Sequence, residues 1–148
     1  MNHSICFIDT SALFKRYISE AGTDIIDSIF ESAGLIIISN LTIAEFVSNL
    51  KRLAEVEKVI DIDVYDAIKA EFFNDIAEAR IRVEPVSSLN IITSVDLIDK
   101  KYITPIDSIQ LATVLNLKEN CTNISFVCSD RKLCSLAENA GIKVVMVG

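Results

Sequence analysis

Short, almost wholly apolar runs alternate along this chain with segments of helical periodicity, and this alternation constrains the fold more than any other feature. Residues 4–8, 35–38 and 124–128 form three such runs, as is typical of strands that are buried on both faces. A weaker run at 82–86 and a last one at 143–147 complete the predicted strands. Because strands buried on both faces belong to parallel sheets flanked by helices, the sequence predicts an α/β fold with a central parallel sheet covered by helices.

Apolar residues at helical spacing fill the segments between the predicted strands. Ile43, Phe46 and Leu50 mark one face of a helix after the second strand, and a further long helix is predicted over 62–79. Neither an internal repeat nor a linker-like composition interrupts the 148 residues. The chain is therefore predicted to be a single domain, 1–148, large enough to bury one hydrophobic core.

Several functional classes lack their sequence signals. The longest uninterrupted apolar stretches have four residues, far below the ~20 that cross a bilayer. The first residues lack the basic region of a signal peptide, so we expect a cytoplasmic protein without a membrane partner. The four glycines are scattered along the chain, which argues against a glycine-rich loop that cradles phosphate.

The inventory of reactive side chains narrows the chemistry further. His3 is the only histidine, so histidine triads and zinc sites lack their components. The four cysteines (Cys6, Cys121, Cys128 and Cys134) contain no Cys-x-x-Cys pair, and in a cytoplasmic chain we expect them to be thiols. Carboxylates, hydroxyls and cations remain as the groups available for chemistry.

Four acidic residues stand where predicted strands end or helices begin. Asp9 ends the first strand and Asp130 ends the strand at 124–128, while Glu45 and Asp107 are each predicted in the first turn of a helix. Ligands of open α/β sheets bind beyond the carboxyl ends of the strands. At least three of these acids are therefore expected to face one edge of the sheet.

Helix capping offers an alternative explanation for each acid. The spacing of Thr42 to Glu45, and of Thr104 to Asp107, fits a capping box, and Asp9 or Asp130 can serve as an N-cap. Carboxylates gathered in one pocket, however, repel one another and need a counter-charge to stay ionised. Oxygen ligands without histidine or cysteine favour Mg²⁺ or Mn²⁺, which can activate water and bind a phosphoryl group.

Positive charge is concentrated in four doublets. The formal net charge of −7 argues by itself against a nucleic-acid partner. Each doublet nevertheless lies within seven residues of one of the four acids, which predicts a basic rim that contacts RNA, although solvated helix faces carry such doublets too. The RNA-contacting candidates are Lys15, Arg16, Lys51, Arg52, Lys100, Lys101, Arg131 and Lys132.

Four ordered motifs surround the acids over nearly the whole chain. They read DTSAL from Asp9, IAEF around Glu45, DSIQLAT from Asp107 and VCSDRKL around Asp130. In order and spacing they resemble PIN-domain ribonucleases, most closely the VapC-type toxins of toxin–antitoxin pairs. The resemblance implies a PIN-like fold and a metal-assisted endoribonuclease that hydrolyses RNA phosphodiester bonds.

The resemblance also implies roles for individual residues. Asp9, Glu45, Asp107 and Asp130 would be catalytic and hold Mg²⁺ or Mn²⁺. A cognate antitoxin would be the inhibitory partner, and we also expect a homodimer. Cys128 stands where family members often carry threonine. The hydroxyls expected to support the metal site are those of Thr10, Ser11 and Ser129.

Two other functions compete with this interpretation. In a phosphate-handling α/β hydrolase, Asp9 would accept phosphate, but Ser11 stands where haloacid-type phosphatases carry a second aspartate. A PIN-like binding module without catalysis would not need all four acids, and all four are present. Cleavage of RNA that depends on metal and is lost on Asp9→Asn separates the nuclease from both alternatives.

Overall fold

A five-stranded parallel sheet forms the centre of the computed structural model, which describes residues 4–148. The strands are β1 (Ile5–Ile8), β2 (Leu35–Ser39), β3 (Arg82–Glu84), β4 (Ile124–Cys128) and β5 (Lys143–Met146). The helices between them are α1 (Thr10–Tyr17), α2 (Thr23–Ser32), α3 (Asn40–Glu55), α4 (Ile62–Ala77), α5 (Ser88–Lys100), α6 (Pro105–Lys118) and α7 (Arg131–Asn139). The predicted α/β fold is confirmed.

The strand order places β1 in the middle of the sheet. The order is β3-β2-β1-β4-β5, and every pair is parallel. Phe7 of β1 pairs with Ile37 on one side and with Phe126 on the other. The chain runs outward from β1 through β2 to β3 and then crosses back to place β4 on the other side of β1. A crevice is therefore expected where β1 and β4 end.

Alternate residues of each strand enter two separate hydrophobic clusters, one on each face of the sheet. Ile8 and Ile38 belong to the cluster that contains Phe46 of α3, whereas Phe7 and Phe126 belong to the other cluster. Both faces are therefore covered, which explains why the strand sequences are almost continuously apolar. Within residues 4–148 no helix is long and apolar enough to span a membrane.

Several element boundaries differ from the sequence prediction, most of them by one or two residues. The third strand ends at Glu84, before Pro85, because proline cannot donate a backbone hydrogen bond to a sheet. The α4 helix ends at Ala77 rather than at 79. The α3 helix begins at Asn40, so Glu45 lies in its second turn and the predicted capping box from Thr42 was wrong. His3 lies outside the described residues.

The cysteines depart from the expectation that all are thiols. Cys128, the last residue of β4, forms a disulfide with Cys134 of α7, with their Cα atoms 6.2 Å apart. The short turn between the strand and the helix folds α7 back onto the strand end and brings the two side chains together. Cys6 and Cys121 are free, so the prediction was wrong for one pair only.

Candidate active site

The four acids follow the strands β1, β2 and β4 or open the helix α6. Asp9 is the N-cap residue of α1, Asp107 lies in the first turn of α6, and Asp130 is the N-cap residue of α7. Their charges act on one another in sequence. Asp107 and Glu45 raise the pKa of Asp9, Asp107 raises that of Glu45, and Asp130 raises that of Asp107. The structure therefore brings the acids into one electrostatically coupled group.

Asp9 is the most buried of the four acids, with 6% of the residue exposed. Burial is the main reason that its pKa rises from 3.8 to about 6, and the charges of Asp107 and Glu45 raise it further. The Ser11 hydroxyl donates to Asp9 Oδ2 at 2.8 Å and opposes this rise. The Asp9 side chain makes no N-cap hydrogen bond to α1, so helix capping does not explain this residue.

Glu45 is half-buried and accepts a short hydrogen bond from α1. The Thr10 hydroxyl donates to Glu45 Oε1 at 2.7 Å. Burial raises the pKa of Glu45, the hydrogen bond from Thr10 lowers it, and the charge of Asp107 raises it. Thr10 and Ser11 are therefore adjacent hydroxyls that each support a different acid of the group.

Asp107 and Asp130 lie nearer the surface. Burial raises the pKa of Asp107, the hydrogen bond from Thr104 lowers it, and the charges of Asp130 and Lys132 act in opposite directions. Asp130 is exposed, and its Oδ1 accepts from the Leu133 backbone N–H at 3.1 Å. Asp130 thus caps α7, as the alternative explanation allowed, while its charge still reaches Asp107.

The expected support of Asp130 by neighbouring side chains is not visible. Ser129 is half-buried and makes no side-chain hydrogen bond with Asp130 in the described part of the chain. Cys128, at the position where the family often has threonine, has its sulfur committed to the disulfide with Cys134. Among the described residues, the hydrogen bond to this carboxylate comes from the backbone of α7.

The acidic group lacks direct cationic partners. Among residues 4–148, no lysine or arginine nitrogen lies within 4.0 Å of a carboxylate oxygen of the four acids. In the same residues, no three His, Cys, Asp or Glu side chains are arranged to hold one metal ion directly. The available donors are carboxylate and hydroxyl oxygens, the donor set that suits a hard divalent cation.

The first basic doublet is used within the fold. Lys15 Nζ lies 3.2 Å from Glu20 Oε1, and Arg16 Nη1 lies 2.6 Å from Asp27 Oδ1. The Arg16 guanidinium also lies 4.7 Å from the centre of the Phe30 ring. These contacts join α1 to α2 and to the segment before it, so both side chains already have partners within the fold.

The other doublets lie at separate parts of the surface. Lys51 and Arg52 line a groove of about 790 Å³ beside α3, where Lys51 Nζ stands 4.8 Å from the Tyr65 ring centre. Lys100 and Lys101 line a different pocket of about 270 Å³. Arg131 and Lys132 are exposed in the first turn of α7, and Lys132 acts on Asp107. The doublets do not form one continuous basic strip.

Sequence reasoning missed three buried polar residues beside Glu45. Ser39 and Gln110 were assigned no role, and Thr42 was interpreted only as a cap, yet all three are fully buried and hydrogen-bonded to one another or to Thr10. Gln110 lies among several buried residues of α6, both polar and apolar. A large polar side chain among the apolar residues of this helix was the available signal.

A comparison with known protein families identifies the family of this chain. The sequence profile of the PIN domain matches residues 6–139. The chain belongs to the PIN domain family. No curated protein sequence matches it.

Solved structures agree on the fold. VapC20 of Mycobacterium tuberculosis, described as a sarcin–ricin loop cleaving toxin, superposes with a TM-score of 0.67 at 16% identity, covering 95% of this chain and 98% of that chain. FitAcB of Neisseria gonorrhoeae gives 0.63 at 14% identity, with 94% and 95% covered. VapBC2 of Rickettsia felis, bound to a promoter DNA fragment, gives 0.61 at 12%, with 97% and 99% covered. At these identities the likeness concerns the fold alone.

Proposed function

We propose that this protein is a Mg²⁺- or Mn²⁺-dependent endoribonuclease that hydrolyses RNA phosphodiester bonds and serves as the toxin of a toxin–antitoxin pair in the cytoplasm. The observation that carries the proposal is the buried Asp9 carboxylate: its pKa is raised to about 6 by burial and by two further acids, and within residues 4–148 no cation forms an ion pair with it. Perturbed acids grouped at the carboxyl ends of parallel strands are typical of a catalytic site.

The donor set supports a divalent ion held partly through water. Mg²⁺ usually keeps several waters and takes one or two carboxylates directly, so the site does not require three acids around one ion. Asp9, Glu45, Asp107 and Asp130 are the residues that would hold it. When bound, such an ion lowers the pKa of water and neutralises charge on a phosphoryl group.

The protein's own residues orient the carboxylates of this group and exclude water from it. Ser11 fixes one oxygen of Asp9 and Thr10 fixes one oxygen of Glu45. Burial of Asp9 strengthens every electrostatic interaction at its carboxylate because the local dielectric is low. The charge of Lys132 already acts on Asp107 of the acidic group, which favours a role for Lys132 in RNA binding.

The proposed partners follow from family membership and from the named neighbours. VapC20 is described as a toxin, and VapBC2 was solved with promoter DNA, which supports a cognate antitoxin for this chain. The homodimer belongs to the proposal as well. The proposed homodimer is supported by the outer face of α5, where Leu89, Ile92 and Val95 are each at least half exposed. Exposed apolar patches of this kind mark interaction sites. Sedimentation velocity of the purified chain tests it.

The nuclease is tested with purified protein and cellular RNA. Cleavage is expected in Mg²⁺ or Mn²⁺, its loss in EDTA and its return on adding excess Mg²⁺. Asp9→Asn should lose cleavage, and Asp66→Asn, which changes an exposed acid of α4, should retain it. Cleavage that persists in EDTA would rule out the metal mechanism. RNA binding without cleavage in any metal would instead favour the binding module.

A further inference from the structure

A continuous chain of buried side-chain hydrogen bonds runs from the end of β2 to the Glu45 carboxylate. Ser39 Oγ donates to Gln110 Oε1 at 2.6 Å, and Gln110 Nε2 donates to Thr42 Oγ1 at 2.7 Å. Thr42 Oγ1 lies 3.1 Å from Thr10 Oγ1, and the Thr10 hydroxyl donates to Glu45 Oε1 at 2.7 Å. The chain joins β2, α6, α3 and α1, and its four polar members before Glu45 are all buried.

The available protons give this chain a direction. A hydroxyl has one proton to donate, and an ionised carboxylate only accepts. Thr10 therefore gives its proton to Glu45, and the proton shared between the two threonines comes from Thr42. With that proton committed, Thr42 accepts from the Gln110 amide. From Gln110 onwards, every donor points toward Glu45.

Burial of these polar groups needs an explanation beyond packing. A buried amide or hydroxyl without a partner destabilises a fold, whereas a fully satisfied network holds its members rigidly. Apolar residues at these positions would avoid the requirement altogether. Gln110 follows Asp107 by three residues on α6, so a single helix supplies both one of the acids and the residue that directs the hydrogen bonds to another.

We propose that Gln110 and Thr42 are positioning residues for the metal site: they hold the Thr10 hydroxyl with its proton on Glu45 Oε1, so that Oε2 faces the ion or one of its waters. The inference rests on the proposed nuclease function, because it gives Glu45 a role toward a divalent ion. Residues that orient metal ligands in this indirect way typically change metal affinity by about 10–100-fold when they are lost.

The test compares two buried threonines, each replaced by valine, which has the same shape but no hydroxyl. Thr42→Val removes the hydroxyl within the chain, and Thr42→Ser restores it. Thr113→Val is the matched control, because the Thr113 hydroxyl is equally buried but donates only to the Ile109 carbonyl oxygen at 2.7 Å. Calorimetric titration with Mn²⁺ measures ion affinity without any RNA, and circular dichroism confirms that each variant is folded.

Thr42→Val is expected to weaken Mn²⁺ binding by about 10–100-fold, with Thr42→Ser and Thr113→Val close to the wild type. Gln110→Met, which keeps the length of the side chain without its amide, should reproduce the loss and serves if Thr42→Val does not fold. Wild-type affinity in a folded Thr42→Val or Gln110→Met protein, or an equal loss in Thr113→Val, overturns the positioning role alone. A wild-type protein that binds no Mn²⁺ overturns the proposed function and this inference with it.

Discussion

Two aspartates are buried in the described part of the chain, and their surroundings are opposite. Asp75, 7% exposed on α4, accepts from the Tyr17 hydroxyl at 2.5 Å and from Arg80 Nε at 2.7 Å. Asp9, 6% exposed after β1, accepts from the Ser11 hydroxyl and has acids rather than a cation as its charged neighbours. Similar burial therefore accompanies a compensated charge in one region and an uncompensated charge in the other.

The difference separates a structural carboxylate from a candidate functional one. Asp75 ties α1 to α4 through a phenol and a guanidinium, and a buried charge with such partners belongs to the fold. A buried charge among like charges destabilises the fold on its own, and its retention points to a ligand that supplies the missing positive charge. Variants at the two aspartates and their partners test this contrast.

The largest effect is expected from Asp9→Asn in metal-free protein. A pKa raised from 3.8 to about 6 corresponds to about 3 kcal/mol of destabilisation by the ionised form at pH 7. The variant should therefore unfold at higher denaturant concentration than the wild type in EDTA. Because the folded state binds this proton more tightly than the unfolded state, the advantage should shrink as the pH falls below about 6 and vanish below 3.8.

Denaturant unfolding of both proteins from pH 8 to pH 4 measures this difference. Asp66→Asn, on the exposed surface of α4, controls for the loss of one negative charge. A variant that is less stable than the wild type at pH 7 would show that Asp9 supports the fold as a cap does.

A somewhat smaller change in the free energy of unfolding is expected when Mg²⁺ is added. A ligand that binds only the folded state stabilises it by about 2.7 kcal/mol at a hundredfold excess over its Kd. The wild type should show this rise in thermal stability, and Asp9→Asn should show much less of it. Melting curves in EDTA and in Mg²⁺ decide the matter, and an undiminished rise in the variant would remove Asp9 from the ion site.

Tyr17→Phe tests the compensated aspartate. The substitution removes the hydroxyl that donates to Asp75 and leaves the ring packed against Phe46 and Phe72. A hydrogen bond to a charged group contributes about 1.5–3 kcal/mol, so the free energy of unfolding should fall by about this amount, with Mn²⁺ affinity unchanged. Tyr65→Phe, which removes the hydroxyl of a buried tyrosine, is the control; equal losses from the two would mean that the Asp75 contact adds nothing.

The smallest effect is expected on the rim of the groove beside α3. If Lys51 and Arg52 contact RNA phosphates, their joint replacement by alanine should reduce the slope of log affinity against log salt by up to about one unit per lost contact. Arg82 and Lys143 are the first residues of β3 and β5, so they lie at the amino ends of the strands, whereas the acidic group lies at the carboxyl ends. Their joint replacement is the control. An unchanged slope after replacement of Lys51 and Arg52 would mean that these two side chains are solvated and do not contact RNA phosphates.

The fold was predictable from the sequence because its signals are local. The apolar runs of β1, β2 and β4 are nearly continuous, and both faces of the sheet are covered. The helix start before Glu45 was misplaced because the helical spacing of apolar residues becomes visible only from Ile43, whereas Ser39 and Asn40 are the N-cap and first residue of α3. Apolar periodicity does not mark the polar first turn of a helix.

The site was less predictable because its supports are contacts between distant segments. The hydrogen bond between Ser39 and Gln110 joins residues 71 positions apart, and no periodicity in the sequence indicates it. The Cys128–Cys134 disulfide depends on how α7 folds back on β4, which the absence of a Cys-x-x-Cys pair does not address. The ion pairs of Lys15 and Arg16 likewise follow from the packing of α1 beside α2.

The position of β1 in the sheet has a consequence for protein synthesis. Ile5 pairs with Leu35 on one side and with Ile124 on the other, so one neighbour of β1 is translated soon after it and the other much later. A growing chain carries Asp9 and Glu45 well before Asp107 and Asp130 have left the ribosome. At about 5–20 residues per second, the interval between Glu45 and Asp130 lasts on the order of ten seconds. If the four acids form the proposed ion site, a nascent chain would lack the complete site until Asp130 has been made, and it would be unable to cleave RNA through that site before then.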